Sequence, residues 1–397
     1  MKYDFNTVID RRNTNSLKYD FPASRNKPEG VMPLWVADMD FKSPPCILKA
    51  LEDKVEHGIF GYAETGTQYA KVLEGWFLRR FGWQTEESWL VKTPGIVAAI
   101  HIAVKALTDY GDAVIIQQPV YHPFAAAVTS NKRKLIVNEL ILQGGHYTID
   151  FEDFESKIKS NNVKLFILCS PHNPVGRVWS KAELERLGEI CLRRNVRIIS
   201  DEIHADIVYS GYTHHVLANL RKEFADITIT CTSPCKAFNL PGLQIANIFI
   251  ANEDIRTAFT DEYAACGLSQ VGTMGVAACE AAYVGGEQWL EELKLYLAGN
   301  FEFLHGYLAH ELPQVSMTAA EGTYLAWLDF RKLGLSDEEL DNIILHKAKV
   351  WLNQGTIFGA GGAGFQRMNI ACPRETLASA IEQISKAIKG DVLCKHI

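Results

Sequence analysis

The sequence predicts an α/β protein: a large doubly wound domain built on a mostly parallel sheet, with a smaller α+β domain after it. Three observations predict it. Short apolar, β-branched runs recur at Ala113-Val114-Ile115-Ile116, Leu165-Phe166-Ile167-Leu168, Arg197-Ile198-Ile199-Ser200, Ile227-Thr228-Ile229-Thr230 and Ala246-Asn247-Ile248-Phe249-Ile250. Runs this short and this apolar suit strands covered on both faces. Helical segments separate some of them, and strand-helix alternation implies a doubly wound sheet. After Gly285-Gly286 the pattern changes to one long helical stretch followed by mixed elements.

The elements follow in chain order. The first forty or so residues hold many Pro and aromatic residues in irregular order, and are expected to wrap onto the second domain rather than extend the main sheet. Pro94-Gly95 punctuates the start of a helix of about ten residues. The capping box Ser180-Lys181-Ala182-Glu183 opens a helix that runs to about Arg194. A long helix is expected from Glu287 to about Leu312, then a strand over Thr323-Leu328. A second capping box, Ser336-Asp337-Glu338-Glu339, and a last helix near Glu375 to Lys389 complete the chain. The expected division is an N-terminal segment, 1–45, packing on the small domain; a large domain, 46–286; and a small C-terminal domain, 287–397.

Composition narrows the function classes. A chain of 397 residues is too long for one small core. Apolar content of 47% and charged content of 22% are those of an ordinary globular protein. A formal net charge of −7 argues against a nucleic-acid partner. The start, Met1-Lys2-Tyr3-Asp4-Phe5-Asn6, is charged early and lacks the apolar run of a secretory leader. No apolar stretch reaches the roughly eighteen residues a membrane span needs. The nine cysteines form no C-x-x-C pair and have no His at zinc spacing, so free thiols in the cytoplasm and no metal are expected.

Three polar residues stand beside apolar runs. Lys236 lies in Ser233-Pro234-Cys235-Lys236-Ala237-Phe238, Asp201 in Ser200-Asp201-Glu202-Ile203-His204, and Asn173 in Ser170-Pro171-His172-Asn173-Pro174. Each taken alone has a plain explanation: a solvated charge, a helix cap, a turn residue. Together they are what a protein needs to hold pyridoxal 5′-phosphate (PLP): an amine to form an imine, a carboxylate to pair with the pyridinium, and a neutral donor for the ring hydroxyl. Ligands of open α/β sheets sit beyond the carboxyl ends of the strands, where all three fall. Ser233 can cap a phosphate. Gly95 opens a helix whose first amides, at Ile96 and Val97, can bind one. Tyr121 could stack on the pyridine face. Gly359-Ala360-Gly361-Gly362-Ala363-Gly364 lacks the preceding strand and following helix of a dinucleotide site. It fits better as a flexible loop bringing Arg367 to a small carboxylate.

These motifs resemble those of the fold-type-I PLP enzymes in the class I/II aminotransferase superfamily, over nearly the whole chain, from Trp35 to Arg374. Several segments are similar to the cystathionine β-lyase/C–S lyase branch: Pro33-Leu34-Trp35-Val36-Ala37-Asp38-Met39-Asp40-Phe41, Phe60-Gly61-Tyr62, Asp201-Glu202-Ile203-His204-Ala205-Asp206, Gly322-Thr323-Tyr324-Leu325-Ala326-Trp327-Leu328-Asp329 and Arg367-Met368-Asn369-Ile370-Ala371-Cys372-Pro373-Arg374. The resemblance implies the aspartate aminotransferase fold, with Lys236 as Schiff-base lysine and proton shuttle, Asp201 on the pyridinium and Asn173 on the ring hydroxyl. It further implies phosphate contacts from Ser233 and the Gly95-Ile96-Val97 turn, and a ring stacked on Tyr121. Tyr62 would reach the phosphate of the neighbouring subunit in a homodimer with shared sites. Arg367 would clamp the substrate carboxylate, near the backbone of Val36 and Ala37, with Tyr121 and Asn173 also facing the amino acid. Two departures matter. Gln244 stands near the place of a phosphate-gripping Arg, and His204 stands where Tyr is frequent among the cofactor contacts. The implied activity is β-elimination of L-cystathionine or a related cysteine S-conjugate to a thiol, pyruvate and ammonia. The alternatives are amino transfer by a class I/II aminotransferase and a regulatory binding protein that uses the same fold to hold a regulatory protein partner, as some relatives combine both.

Overall fold

A computed structural model describes residues 2–392. Its centre is a seven-stranded sheet. The strands are β1 (Leu90–Thr93), β2 (Ala113–Gln118), β3 (Lys134–Glu139), β4 (Leu165–Cys169), β5 (Arg197–Asp201), β6 (Thr228–Thr232) and β7 (Ala246–Ile250). Across the sheet they lie in the order β1-β7-β6-β5-β4-β2-β3. Neighbours from β6 to β3 pair in parallel, and β7 runs against both β6 and β1. Alternate side chains serve opposite faces. Val114, Ile116, Ile167 and Ile199 pack on Ile100 and Val104 of the helix Ile96–Leu107. Ile115, Phe166, Leu168 and Ile198 pack on Leu184 and Leu187 of the helix Lys181–Arg194. That helix begins with the expected capping box: Ser180 and Glu183 each bond the other's backbone N–H.

The apolar runs locate β2, β4, β5 and β7 closely, and β6 lies one to two residues later than the run Ile227-Thr230. β1 and β3 contain no comparable run. They are the sheet's edges, and the Lys and Glu residues they carry suit half-exposed strands.

A second sheet of four antiparallel strands joins Ser316–Met317, Leu325–Asp329, Phe365–Asn369 and Asn353–Gln354 in that order. The helices Glu287–Glu311 and Arg374–Val392 pack beside it. The strand expected from Thr323 starts at Leu325, because Thr323 has φ +67° and cannot belong to it. The second capping box is present at Ser336 and Glu339, but its α-helix stops at Asp341 and continues as a π-helix, Asn342–Lys347. The first forty residues are irregular. Met32–Pro33 pairs in parallel with Val350–Trp351, and Phe5 packs among Phe41, Trp289 and Tyr296. One apolar cluster runs from Phe5 and Leu34 through Phe238 to Leu325 and Ile381, so the N-terminal residues share a core with both sheets' surroundings.

The Gly359–Gly364 stretch is not the flexible loop its composition suggests. Two 3₁₀ turns, Gly355–Phe358 and Ala360–Gly362, cross so closely that a Cβ on Gly355 or Gly362 would run into the other's backbone. Glycine is required there for close approach of backbone to backbone. Arg367 follows on a strand, held in register with Trp327 and Asn353.

Candidate active site

The carboxyl ends of β1, β2, β4, β5 and β6 converge on one cavity of about 350 Å³. Lys236, Asp201, Asn173, Ser233, His204, Tyr121, Gly95, Ile96, Val97, Val36, Ala37 and Arg367 all line it. Tyr62 does not: it is 97% exposed, on an outer surface. Asp201 is the last residue of β5, and Ser233 immediately follows β6. The sheet's direction therefore places them before any side-chain contact is considered.

Lys236 lines this cavity and a neighbouring one. Its Nζ donates to the Ala37 carbonyl at 2.6 Å, and the Tyr324 hydroxyl donates to the same oxygen at 2.9 Å. Burial lowers the Lys236 ammonium to a pKa of about 8, with the Arg367 charge pushing the same way. Asp201 accepts one bond, from the Ile203 N–H at 3.2 Å. Burial raises it to about 7, outweighing that bond and the Lys236 charge. Both charged forms are thus held short of partners, a condition that marks functional sites.

Arg367 is buried at the opposite wall. Nη1 donates to Asn173 Oδ1 at 3.0 Å, and Nη2 donates to the Trp35 carbonyl at 2.9 Å and Asn353 Oδ1 at 2.6 Å. Its guanidinium lies over the Phe358 ring at 4.9 Å. Burial brings even this group down to about 10. His204 is held well below the ordinary histidine range, by burial and then by Lys236 and Arg367. It is a neutral imidazole set edge-on to Tyr324.

The donor set fits PLP. Lys236 is an amine poised to lose its proton. Asp201 is a carboxyl short of a cation. The amides of Ile96 and Val97, at the first turn of their helix, have no carbonyl of their own ladder to meet. Three buried polar atoms of cavity-lining residues, Trp35 Nε1, His204 Nδ1 and Arg367 Nε, have no partner among the described residues, as expected of a site that awaits a polar guest. Ser233 departs in detail: its hydroxyl donates to the Ile245 carbonyl at 2.7 Å, so a phosphate would have to draw that proton away. No group of His, Cys, Asp and Glu among the described residues is arranged to hold a metal ion.

The motifs did not single out Leu17, Trp35, His122, Cys169, Ile203 or Asn353 as site residues, yet all line the cavity. Cys169 could have been found, as the residue ending β4 just before Asn173. Asn353 could not. It reaches the site only by pairing with Arg367 across a two-residue strand.

Sequence and structure comparisons agree with this geometry. Residues 29–384 match the family described as aminotransferase class I and II. Cystathionine β-lyase PatB of Bacillus subtilis (strain 168) is 42% identical over 385 residues, covering 97% of this chain and all of that protein. Protein MalY of Escherichia coli (strain K12) is 32% identical, covering 98% of this chain and 99% of that one. The PLP-containing crystal structure of cystalysin from Treponema denticola superposes with a TM-score of 0.95 at 39% identity, over 98% of this chain and all of that one. The chain belongs to the class I and II aminotransferase family, in its cystathionine β-lyase and C–S lyase branch.

Proposed function

We propose that the protein is a PLP-dependent C–S β-lyase acting on L-cystathionine or related cysteine S-conjugates. The observation that carries this reading is one cavity holding a partly deprotonated Lys236, a proton-accepting Asp201 and a buried Arg367. Its setting is a family whose relative PatB is named for that activity. Bound PLP supplies an electron sink for the Cα–H bond of an amino acid. Arg367 takes the substrate carboxylate with its fork of donors and so orients Cα. Lys236, neutral near its lowered pKa, takes the Cα proton. Asp201 would hold the ring nitrogen by charge pairing. Asn173, already bonded to Arg367, would take the ring hydroxyl and so link it to carboxylate recognition. Val36 and Ala37 close one wall of the cavity with backbone, and Tyr121 would cover one face of the ring. The Ile96 and Val97 amides, Gly95 and Ser233 would take the phosphate, and neutral His204 lines the same cavity without adding charge. The Cβ–S bond breaks and the sulfur leaves as thiol. The balance is RS–CH₂–CH(NH₃⁺)–COO⁻ + H₂O → RSH + pyruvate + NH₄⁺.

The division into a 1–45 segment, a 46–286 domain and a 287–397 domain belongs to the same proposal; residues 1 and 393–397 lie outside the described chain. A cytoplasmic location and a homodimer in which Tyr62 reaches the partner's phosphate also belong to the proposal. The exposed Ile59, Phe60 and Tyr62 support such a contact. Eight of the nine cysteines are unpaired thiols, consistent with a reducing compartment; Cys394 lies outside the described residues. No helix among the described residues is long and apolar enough to cross a membrane.

Assays for thiol and pyruvate with cystathionine, cystine and cysteine test the proposal, with Lys236→Ala as control. Release of both products by the wild type alone supports it. Amino transfer to a 2-oxo acid without thiol or pyruvate overturns it in favour of an aminotransferase.

A further inference from the structure

The N-terminal segment inverts the ordinary pattern of burial. Lys18 is 1% exposed, while its neighbour Leu17 is 52% exposed. Lysine is among the residues least often buried and leucine among the most often. The cause is a preformed loop pinned by charge. The Asp20 carboxylate accepts the backbone N–H groups of Asn13, Thr14 and Ser16 at 2.7, 3.0 and 2.8 Å. Tyr19 and Asp20 close the turn by donating to the Ser16 carbonyl at 3.1 and 2.8 Å. Lys18 Nζ then lies 2.8 Å from Asp40 and 3.6 Å from Asp38. Arg11 bridges the same two carboxylates at 2.8 and 2.7 Å, and the Tyr19 hydroxyl donates to Asp40 at 3.1 Å.

Burying a lysine is costly unless it is well paired. Here the pairing fixes the strap against the stretch that also carries Ala37, the acceptor of Lys236. The outcome is that Leu17 is held at the cavity, which Trp35 and Val36 also line. Arg367 and Lys236 are committed to the carboxylate and Cα of an amino acid. Among the described residues lining the cavity, the charged ones are Lys236 and Arg367, committed in this way, and Asp201, committed to the ring nitrogen of the cofactor. Leu17 also lines a neighbouring cavity, in which Arg11, Asp38 and Asp40 already pair with one another; Lys236 and the exposed Lys42 line it too.

We propose that Leu17 is a specificity-determining residue that packs on an apolar substituent of the substrate's sulfur, and that Arg11, Lys18, Asp38 and Asp40 are positioning residues holding it there. The favoured substrates are S-alkyl and S-aryl cysteine conjugates. A conjugate with a second zwitterion, such as cystathionine, brings two more charges to a wall whose charges, the exposed Lys42 apart, are engaged. The proposal rests on the C–S lyase reading.

The test compares kcat/KM for S-benzyl-L-cysteine and L-cystathionine in the holoenzyme and its Leu17→Ala variant. Leu17 is half exposed, so truncation leaves the core intact. Losing its apolar contact lowers the benzyl value about five- to tenfold, mostly through KM, and leaves cystathionine within about twofold. Calorimetric binding of 3-(benzylthio)propionate, which has no amino group to react, weakens by the same factor, while propionate binding does not change. Lys18→Met reproduces the shift in ratio and speeds hydrogen exchange of residues 13–20. If the wild type releases thiol from neither amino acid, the lyase reading falls and this one with it. If it releases thiol and Leu17→Ala leaves both the ratio and the benzylthiopropionate affinity within twofold, the specificity proposal alone is overturned.

Discussion

The two walls of the cavity are built by different means. Asp201 ends a central strand in the ladder of the large sheet, and Asn173, Ser233 and Lys236 follow the ends of central strands by one to four residues. Leu17, Trp35, Ala37, Asn353 and Arg367 come from the irregular N-terminal segment and the small sheet, which meet only in the folded molecule. One wall takes its geometry from the strand ends of the large sheet. The other combines the small sheet's register at Arg367 and Asn353 with side-chain bonds from Arg367 to Trp35 and Asn353 and with the Arg11 and Lys18 ion pairs. Chemistry and selectivity should therefore separate: proton transfer on the wall of the large sheet, substrate choice on the assembled one.

Substitutions can break or sharpen that separation. The largest expected effect is on the wall of the large sheet. Lys236→Ala should lower pyruvate formation at least about a thousandfold, as loss of a positioned base does. It should also abolish borohydride labelling of that position after PLP is supplied. A smaller loss should follow Arg367→Lys, which keeps the charge but not the fork. KM for the amino acid should rise about ten- to a hundredfold, with kcat less affected. Equal falls in kcat and kcat/KM would erase the distinction between the walls.

Asp201→Asn should separate stability from activity. The folded carboxyl titrates near 7, above its unfolded value of 3.8. The folded state therefore binds the extra proton between these values, and the wild type loses stability as pH rises through that window. In cofactor-free protein the substitution should gain on the order of 1–3 kcal/mol in urea unfolding above pH 7 and nothing below pH 4, while turnover falls. Least in energy, but direct, is the reactivity of Lys236 itself. Acylation of the cofactor-free protein should show a midpoint near pH 8 for this amine, against the ordinary lysine value of 10.5.

Legibility in the sequence follows the same boundary. Central strands are apolar on both faces, so their runs are visible, and the polar residue that ends each run is visible with them. Asp201 and Ser233 could be read this way. The edge strands β1 and β3 could not, because half their surface meets solvent and their composition is mixed. Arg367 was visible through resemblance, but its support was misread. The glycines before it mark a tight backbone crossing, a long-range contact that local sequence does not encode. Leu17 and Asn353 had no local signal at all. Their roles depend on ion pairs and strand register between distant segments.

The Ala37 carbonyl has a consequence of its own. It accepts from two donors, Lys236 and Tyr324. A catalytic amine must swing between resting and working positions, and a buried carbonyl abandoned at each swing would resist the motion. Because the tyrosine stays behind, the oxygen is never left bare. The side chain that does the chemistry is free to travel, and the backbone it leaves remains at rest.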